Sequence, residues 1–280
     1  MHFITFRNNL NKILNTPYNL RDSWKIGAQL LLHPQFGRCI SLHIIHEKED
    51  MNEQQRRMCY WGRRFETISA QPACPEPDKE FCTVALAQLN QFLIVLGAEI
   101  DCVLPEFAPS NPLKRTLDSS IHNTTPTFNA RHFVELKTNR VLTSETARSF
   151  YQHKLRTTWI QSMLAGVPLV KFGFRNDEGE LQKIEDFPTH SIPQIAKSKG
   201  ATWEPEHCIQ FASRILNFLK TNVKENENYI LQHAENARFI ELHKTDKQFF
   251  NTDKIGTEFI QIPGNHDCEC KIFEFVGNPK

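Results

Sequence analysis

The sequence predicts a mixed α+β fold of the α/β class: a single domain over 1–280, with a mixed, largely antiparallel β-sheet flanked by helices. Three observations predict it. Runs rich in β-branched and aromatic residues recur along the chain. Stretches with apolar residues at helical spacing separate them. The two kinds alternate without the strict βαβ regularity of a parallel sheet. A chain of 280 residues is long enough to bury a sizeable core.

Taken in order, residues 3–15 are expected to be helical, because Phe6, Leu10, Ile13 and Leu14 fall near one stripe. Thr16-Pro17 ends that helix, since the residue before proline avoids the helical region. Residues 22–33 and 38–46 (RCISLHIIH) read as strands, and 50–60 as a polar, basic helix. WGRRFETI (61–68) reads as a strand, and QPACPEPDKE (71–80) as a Pro-rich loop. Residues 81–90 either start a helix or extend into a strand at 92–104. The segment 105–128 is a loop rich in Pro, Ser, Asn and Thr, of a length usual for functional or disordered loops. RHFVELKT is the next strand. Residues 144–165 form a helix with Ser144 as its N-cap. GVPLVKFGF and LQKIEDF form a hairpin across the turn NDEG, and CIQFASRILNFLKTNV is an amphipathic helix. The part from 225 to 280 combines a polar helix with short alternating strands such as CKIFEFVG.

The bulk properties exclude some classes. A net charge of +1 gives no global field for polyanions, so any such site is a local patch. No apolar run approaches the roughly 20 residues of a membrane span, and no membrane partner is expected. MHFITFRNNLNK lacks the apolar core of a signal peptide, which predicts a nuclear or cytoplasmic protein. The eight cysteines are then expected to be thiols, and the sequon Asn123-Thr124-Thr125 to go unused. His266, Cys268 and Cys270 have no second pair at zinc spacing. They read as part of a mobile near-terminal segment rather than a zinc site.

The chemistry centres on carboxylates written into apolar strands. In LIVLGAEIDCVL, Glu99 and Asp101 are two apart, so on a strand they share a face. In FVELKT, Glu135 and Lys137 do the same. If the two faces align, three carboxylates and an ammonium converge. Buried like charges drive each other toward neutrality unless cations hold them. Oxygen ligands suit Mg²⁺, and paired ions about 4 Å apart can clamp a phosphoryl centre. A lysine there can orient or deprotonate water and offset developing charge. The order acidic-x-Asp, then Glu-x-Lys, looks like a (D/E)xK nuclease metal site; a solvated Glu–Lys edge strand is the plainer alternative. Gly62 precedes a strand ending in Glu66. On the later helix, His153, Lys154, Arg156 and Gln161 form either a face for a phosphate backbone or a solvated basic face.

FITFRNNLNKILNTPY, YWGRRFE, GAEIDC, FVELKT, FYQHKLRTTWIQSMLAGVP and VKFGFRNDEG together resemble the DXO decapping exonuclease family, which includes the fungal partners of the nuclear 5′→3′ exoribonuclease. The match runs from about residue 3 to 220, and 225–280 resembles the family loosely. The resemblance implies a hydrolase that uses Mg²⁺ or Mn²⁺, two ions, on RNA 5′ ends. It would remove incomplete or atypical caps, NAD caps and unmethylated guanosine caps included, and degrade 5′-monophosphate RNA. It implies Glu66, Glu99, Asp101, Glu135 and the Leu136 carbonyl as metal ligands. Lys137 and Gln161 would contact the scissile phosphate and the water, and Phe6, Arg7 and Asn8 the substrate near its 5′ phosphate. Cys82 would line the substrate; a small buried hydrophobe is the alternative there. The nucleus is favoured, with a nuclear 5′→3′ exoribonuclease as a partner. Arg63 departs from the pattern, which has an apolar residue after the glycine. The chain begins six residues before Arg7, so the family's N-terminal segment and part of the pocket wall are expected to be lacking. An RNA-binding or exonuclease-stimulating relative without catalysis is the other reading.

Overall fold

The structure, a computed structural model, describes residues 2–33, 37–45, 51–70, 81–104 and 130–249. The expected loops at 71–80 and 105–128, the sequon, the strand CKIFEFVG and the cluster His266, Cys268 and Cys270 lie outside them.

The expected helix at 3–15 is in fact two elements. Phe3–Phe6 is a strand, β1, and Arg7–Asn15 is a helix, α1. Phe3 and Thr5 are buried while Phe6 is exposed, the period-2 pattern of a strand. The apolar residues of 3–14 satisfy both periods, and pairing decides between them. β2 (Trp24–His33) and β3 (Gly37–Ile44) are strands as expected.

The strand expected at 61–68 is helical. α2 runs from Glu53 to Ser69 without a break. Asn52 opens it with a capping box, its side chain accepting from Gln55 N at 2.9 Å and its backbone N–H donating to Gln55 Oε1 at 2.8 Å. Phe65 anchors it against Val134 and Leu136. That contact needs Gly173: a Cβ there would meet the Phe65 ring at 2.7 Å. Tertiary packing thus overrides the β-type composition of WGRRFETI.

Residues 81–90 take the extended alternative, as β4 (Cys82–Leu89), followed by β5 (Phe92–Glu99). The strand expected to run to 104 stops at Glu99. Ile100 donates its N–H to Phe81 O at 2.9 Å, and β6 (Cys102–Val103) belongs to a different sheet. β7 is Phe133–Arg140. The helix expected at 144–165 has three parts: α3 (Ser144–Ser149), a π-turn (Phe150–Lys154) and α4 (Leu155–Leu164). Its N-cap is Thr143 rather than Ser144, since the Thr143 hydroxyl accepts from Thr146 N. The π-turn seats Phe150 among Phe172, Phe174 and Phe187, with centroids 5.2–6.2 Å away. β8 (Leu169–Arg175) and β9 (Leu181–Pro188) form the expected hairpin. Then come α5 (Ile192–Ser198), α6 (Pro205–Asn222), β10 (Asn228–His233) and β11 (Glu241–Thr245). Among the described residues beyond 225 there is no helix.

The class is mixed α/β, with two mixed sheets where one was expected. The larger has the order β11-β10-β2-β3-β1-β5-β4, and the smaller β6-β7-β8-β9. β1 is parallel to both β3 and β5, and β7 is parallel to β8; the other pairs are antiparallel. One core joins them, from Phe3, Ile13 and Leu96 to Trp159, Phe172 and Leu216. The crossing at Ile100–Asp101 carries the chain from one sheet to the other, and the carboxylates lie there.

Candidate metal centre

β7 realises the expected alternation. Val134 and Leu136 pack toward Phe65, and Glu135 and Lys137 take the other face. Glu135 is fully buried, so its charge needs partners. It has two: Oε2 accepts from Arg7 Nη1 at 3.0 Å, and Oε1 accepts from Lys137 Nζ. Arg7 is itself only 4% exposed.

Asp101 enters the site through a backbone vacancy. The β6–β7 register pairs Cys102 with Val134, so two residues on, Leu136 would face Ile100. Ile100 has turned to Phe81, and the Leu136 N–H donates to Asp101 Oδ2 instead, at 2.8 Å. Lys137 Nζ lies 3.5 Å from the same oxygen and 3.1 Å from Leu136 O. One ammonium is therefore held by Glu135, Asp101 and the Leu136 carbonyl. Glu99 ends β5, half-buried and opposite Cys82 in register. Glu66 comes from α2 rather than from a strand. Glu99 and Asp101 stand on either side of the bend between the sheets; they are not neighbours on one uninterrupted strand.

The electrostatics bind the four acids into one site. Desolvation pushes the Glu66 carboxyl up to about 7, and repulsion by Asp101, Glu99 and Glu135 adds to this against Lys137. Desolvation also raises Asp101, opposed by Lys137 and seconded by Glu135. Burial works against the Lys137 charge, but Glu135 and Asp101 outweigh it and hold that ammonium above the usual lysine range. Four carboxylates face two cations, Arg7 and Lys137, which leaves two negative charges uncompensated when all are ionised. Among the described residues no three His, Cys, Asp or Glu side chains are gathered into a chelating group; Glu135 and Asp101 close on the ammonium instead. The donors are nonetheless all oxygen, and their charge deficit equals that of a divalent cation, so they fit a hard metal ion.

The proton on Glu66 gives a testable pH dependence. Its folded pKa lies above the ordinary 4.5, so the fold disfavours the ionised form, and that penalty sets in as pH rises from about 4.5 to 7. A cation binds the ionised form. Affinity for Mn²⁺, followed by calorimetry, is therefore expected to rise about tenfold per pH unit below 7 from this group and then level. Glu66→Gln should flatten the rise; an unchanged slope would remove Glu66 from the cation site.

The other expected residues divide. Phe6 and Asn8 are exposed on either side of buried Arg7, and a Cβ on Gly97 would meet the Phe6 ring at 2.9 Å. Arg7 is turned onto Glu135. Cys82 is exposed, which overturns its reading as a buried hydrophobe. Arg63 is exposed too, so its departure from the pattern leaves the Phe65 anchor undisturbed. Gln161 lies half-buried on α4; among the described residues no hydrogen bond joins its amide to the carboxylates. Arg156 is 1% exposed, donates to Asn15 Oδ1 and Gln152 O, and lies over the Tyr18 ring. It braces α1 against α4 and belongs to neither a phosphate-binding nor a solvated face. Lys154 is exposed, yet surrounding protein lowers its pKa, as do Lys137 and Arg175 nearby. Arg175, stacked 3.8 Å over Trp61, carried no sequence signal. The parallel pairing of β8 with β7 sets it opposite Arg140.

A family model described as "RAI1 like PD-(D/E)XK nuclease" matches residues 1–261. The Decapping and exoribonuclease protein of Xenopus laevis is 28% identical over 236 residues, covering 80% of this chain and 55% of that protein. Decapping nuclease RAI1 of Aspergillus fumigatus is 28% identical over 272 residues, covering 87% and 68%. The crystal structure of S. pombe Rai1 in complex with 3′-FADP superposes with a TM-score of 0.66 at 26% identity, covering 87% of this chain and 72% of that one. The chain thus spans about half the length of the Xenopus relative.

Proposed function

The chain belongs to the RAI1-like PD-(D/E)XK nuclease family, and from that premise we propose that it hydrolyses RNA 5′ ends with the help of Mg²⁺ or Mn²⁺. Its substrates would be RNAs with incomplete or atypical caps, the NAD cap and the unmethylated guanosine cap among them, and 5′-monophosphate RNA cut in the 5′→3′ direction. We place this activity in one nuclease domain, in the nucleus, beside a nuclear 5′→3′ exoribonuclease. The observation that carries the reading is the convergence of Glu135, Asp101 and the Leu136 carbonyl on one cationic position, with Glu66 electrostatically tied to it.

In this reading Glu66, Glu99, Asp101, Glu135 and the Leu136 carbonyl hold one or two ions. A bound divalent ion would supply charge to the phosphate and acidify a water. The remaining work falls to the chain. Arg7 fixes Glu135 from behind. Lys137, released from the acids, donates hydrogen bonds to the phosphate oxygens as negative charge develops. In the metal-free protein Glu135 and Asp101 hold it cationic; as a cation it orients the water and offsets charge on the phosphate. Gln161 contacts the same phosphate, Phe6 and Asn8 meet the 5′ nucleotide, and Cys82 lines the approach beside Glu99. Water's oxygen bonds to phosphorus, the P–O ester bond breaks, and the proton the water loses ends on the departing ester oxygen.

The test incubates the protein with NAD-capped, unmethylated-capped and 5′-monophosphate RNA, with Mg²⁺, Mn²⁺ or chelator. Metal-dependent products are expected, and Glu99→Ala with Asp101→Ala should abolish them without unfolding the protein. No product from any RNA would sink the hydrolase reading. RNA affinity without turnover would mark a binding protein instead.

A further inference from the structure

One face of α2 has no part in the site described above. Successive helical residues are turned by about 100°, so Arg56, Tyr60, Arg63 and Arg64 share a side, with Arg57 at its margin. That side borders Glu66 and lies away from Phe65, the anchor. All five residues are exposed, Tyr60 by 64%. Arg57 lies 3.8 Å from Glu53. Among the described residues no ion pair is recorded for Arg56, Arg63 or Arg64. Four guanidinium groups around an exposed phenol ring, on a chain of net charge +1, form a local positive patch.

We propose that this face of α2 is the docking surface for the single nucleic-acid strand on the 3′ side of the cut. Arg56, Arg63 and Arg64 would pair with its phosphates, and a base would stack on Tyr60. The inference rests on the RNA reading above and adds where the strand runs. The geometry favours it because one helix carries both functions. Glu66 stands at the cation site, Arg63 is one turn back, and Arg56 lies roughly 10 Å further along the axis. A strand leaving the site across α2 would meet the arginines in turn. Charge complementarity selects a polyanion over a protein partner. Protein interfaces are centred on apolar side chains; here the exposed Met58 lies on the opposite side of the helix and Ile68 at the margin, not at the centre of the arginine face.

The test uses the full chain and a labelled 20-nucleotide 5′-monophosphate RNA, with affinity read by anisotropy in chelator over a range of salt. The triple change R56Q/R63Q/R64Q is expected to weaken binding about tenfold. It should also make the slope of log K against log salt shallower by about 2, near 0.7 per lost phosphate contact. R56K/R63K/R64K, which keeps the charges, should stay within about threefold of the parent. Tyr60→Ala should lower affinity and leave the slope alone. With Mn²⁺ added, an NAD-capped dinucleotide, too short to run along the arginine face to Tyr60 and Arg56, should be cut by the glutamine variant at the parental rate. Unchanged affinity and slope in that variant would overturn the proposal. So would an equal loss in the lysine variant, or a parallel loss on the dinucleotide. A parent protein that binds RNA with an arginine-dependent slope but cuts nothing would support the docking surface and overturn the hydrolase reading alone.

Discussion

Lys137→Met is expected to bind Mn²⁺ more tightly than the parent while hydrolysing RNA 5′ ends about 10²–10³-fold more slowly. The two effects have one cause. Lys137 Nζ is held by Glu135, Asp101 and the Leu136 carbonyl, the oxygens proposed to hold the metal. Ammonium and metal therefore compete, and removing the ammonium frees the ligands. The same change deletes the donor that would offset charge on the phosphate. Methionine keeps the length of the stem, so packing is largely preserved. Without metal the variant should be less stable, since Glu135 is fully buried and Asp101 nearly so. Calorimetry gives the affinity and single-turnover kinetics the rate. Weaker metal binding in the variant would end the idea of competition, and an unchanged rate would remove Lys137 from the chemistry.

Arg7→Ala should cost about 3–5 kcal/mol of stability in the metal-free protein, the usual loss when one partner of a buried ion pair is removed. Arg7 and Glu135 are 4% and 0% exposed and 3.0 Å apart. The pair ties the first residue of α1 to the centre of β7. Without it, Glu135 keeps only Lys137. Saturating Mn²⁺ should recover part of the loss by restoring positive charge beside the carboxylate, and Arg7→Lys should lose less than alanine. Urea unfolding with and without the ion measures all three. A loss under 1 kcal/mol for Arg7→Ala would show that the pair does not anchor the site. A loss indifferent to the ion would separate Glu135 from the metal.

Parts of this were readable from local pattern. The alternation in FVELKT put Glu135 with Lys137 and left Val134 and Leu136 apolar, and β7 is built that way. That pattern is a property of extended backbone and needs no neighbour. The same argument applied to Glu99 and Asp101 took a wrong route. It assumed one strand over 92–104, whereas Ile100 hydrogen-bonds in one sheet and Cys102 pairs in the other. Glu66 was picked out on the wrong element, because the aromatic and β-branched content of WGRRFETI speaks for a strand. The Asn52 capping box and the seat of Phe65 on Gly173 speak for a helix, and they prevail. Arg156 looked surface-exposed by helical spacing but is buried, since α1 closes over it from 141 residues away in sequence.

By itself the sequence determined the chemistry that the site can hold. The oxygen donors, the lysine among them and the apolar strands that carry them are all matters of residue type and short-range periodicity. Only the tertiary structure decided what those groups meet. It turned Arg7 onto Glu135 across 128 residues of chain, brought Glu66 in on a helix and gave the Leu136 N–H to Asp101. The physical reason is that burial imposes these pairings. A carboxylate or an N–H taken out of water must find a partner wherever the fold supplies one, and no local pattern records where that will be.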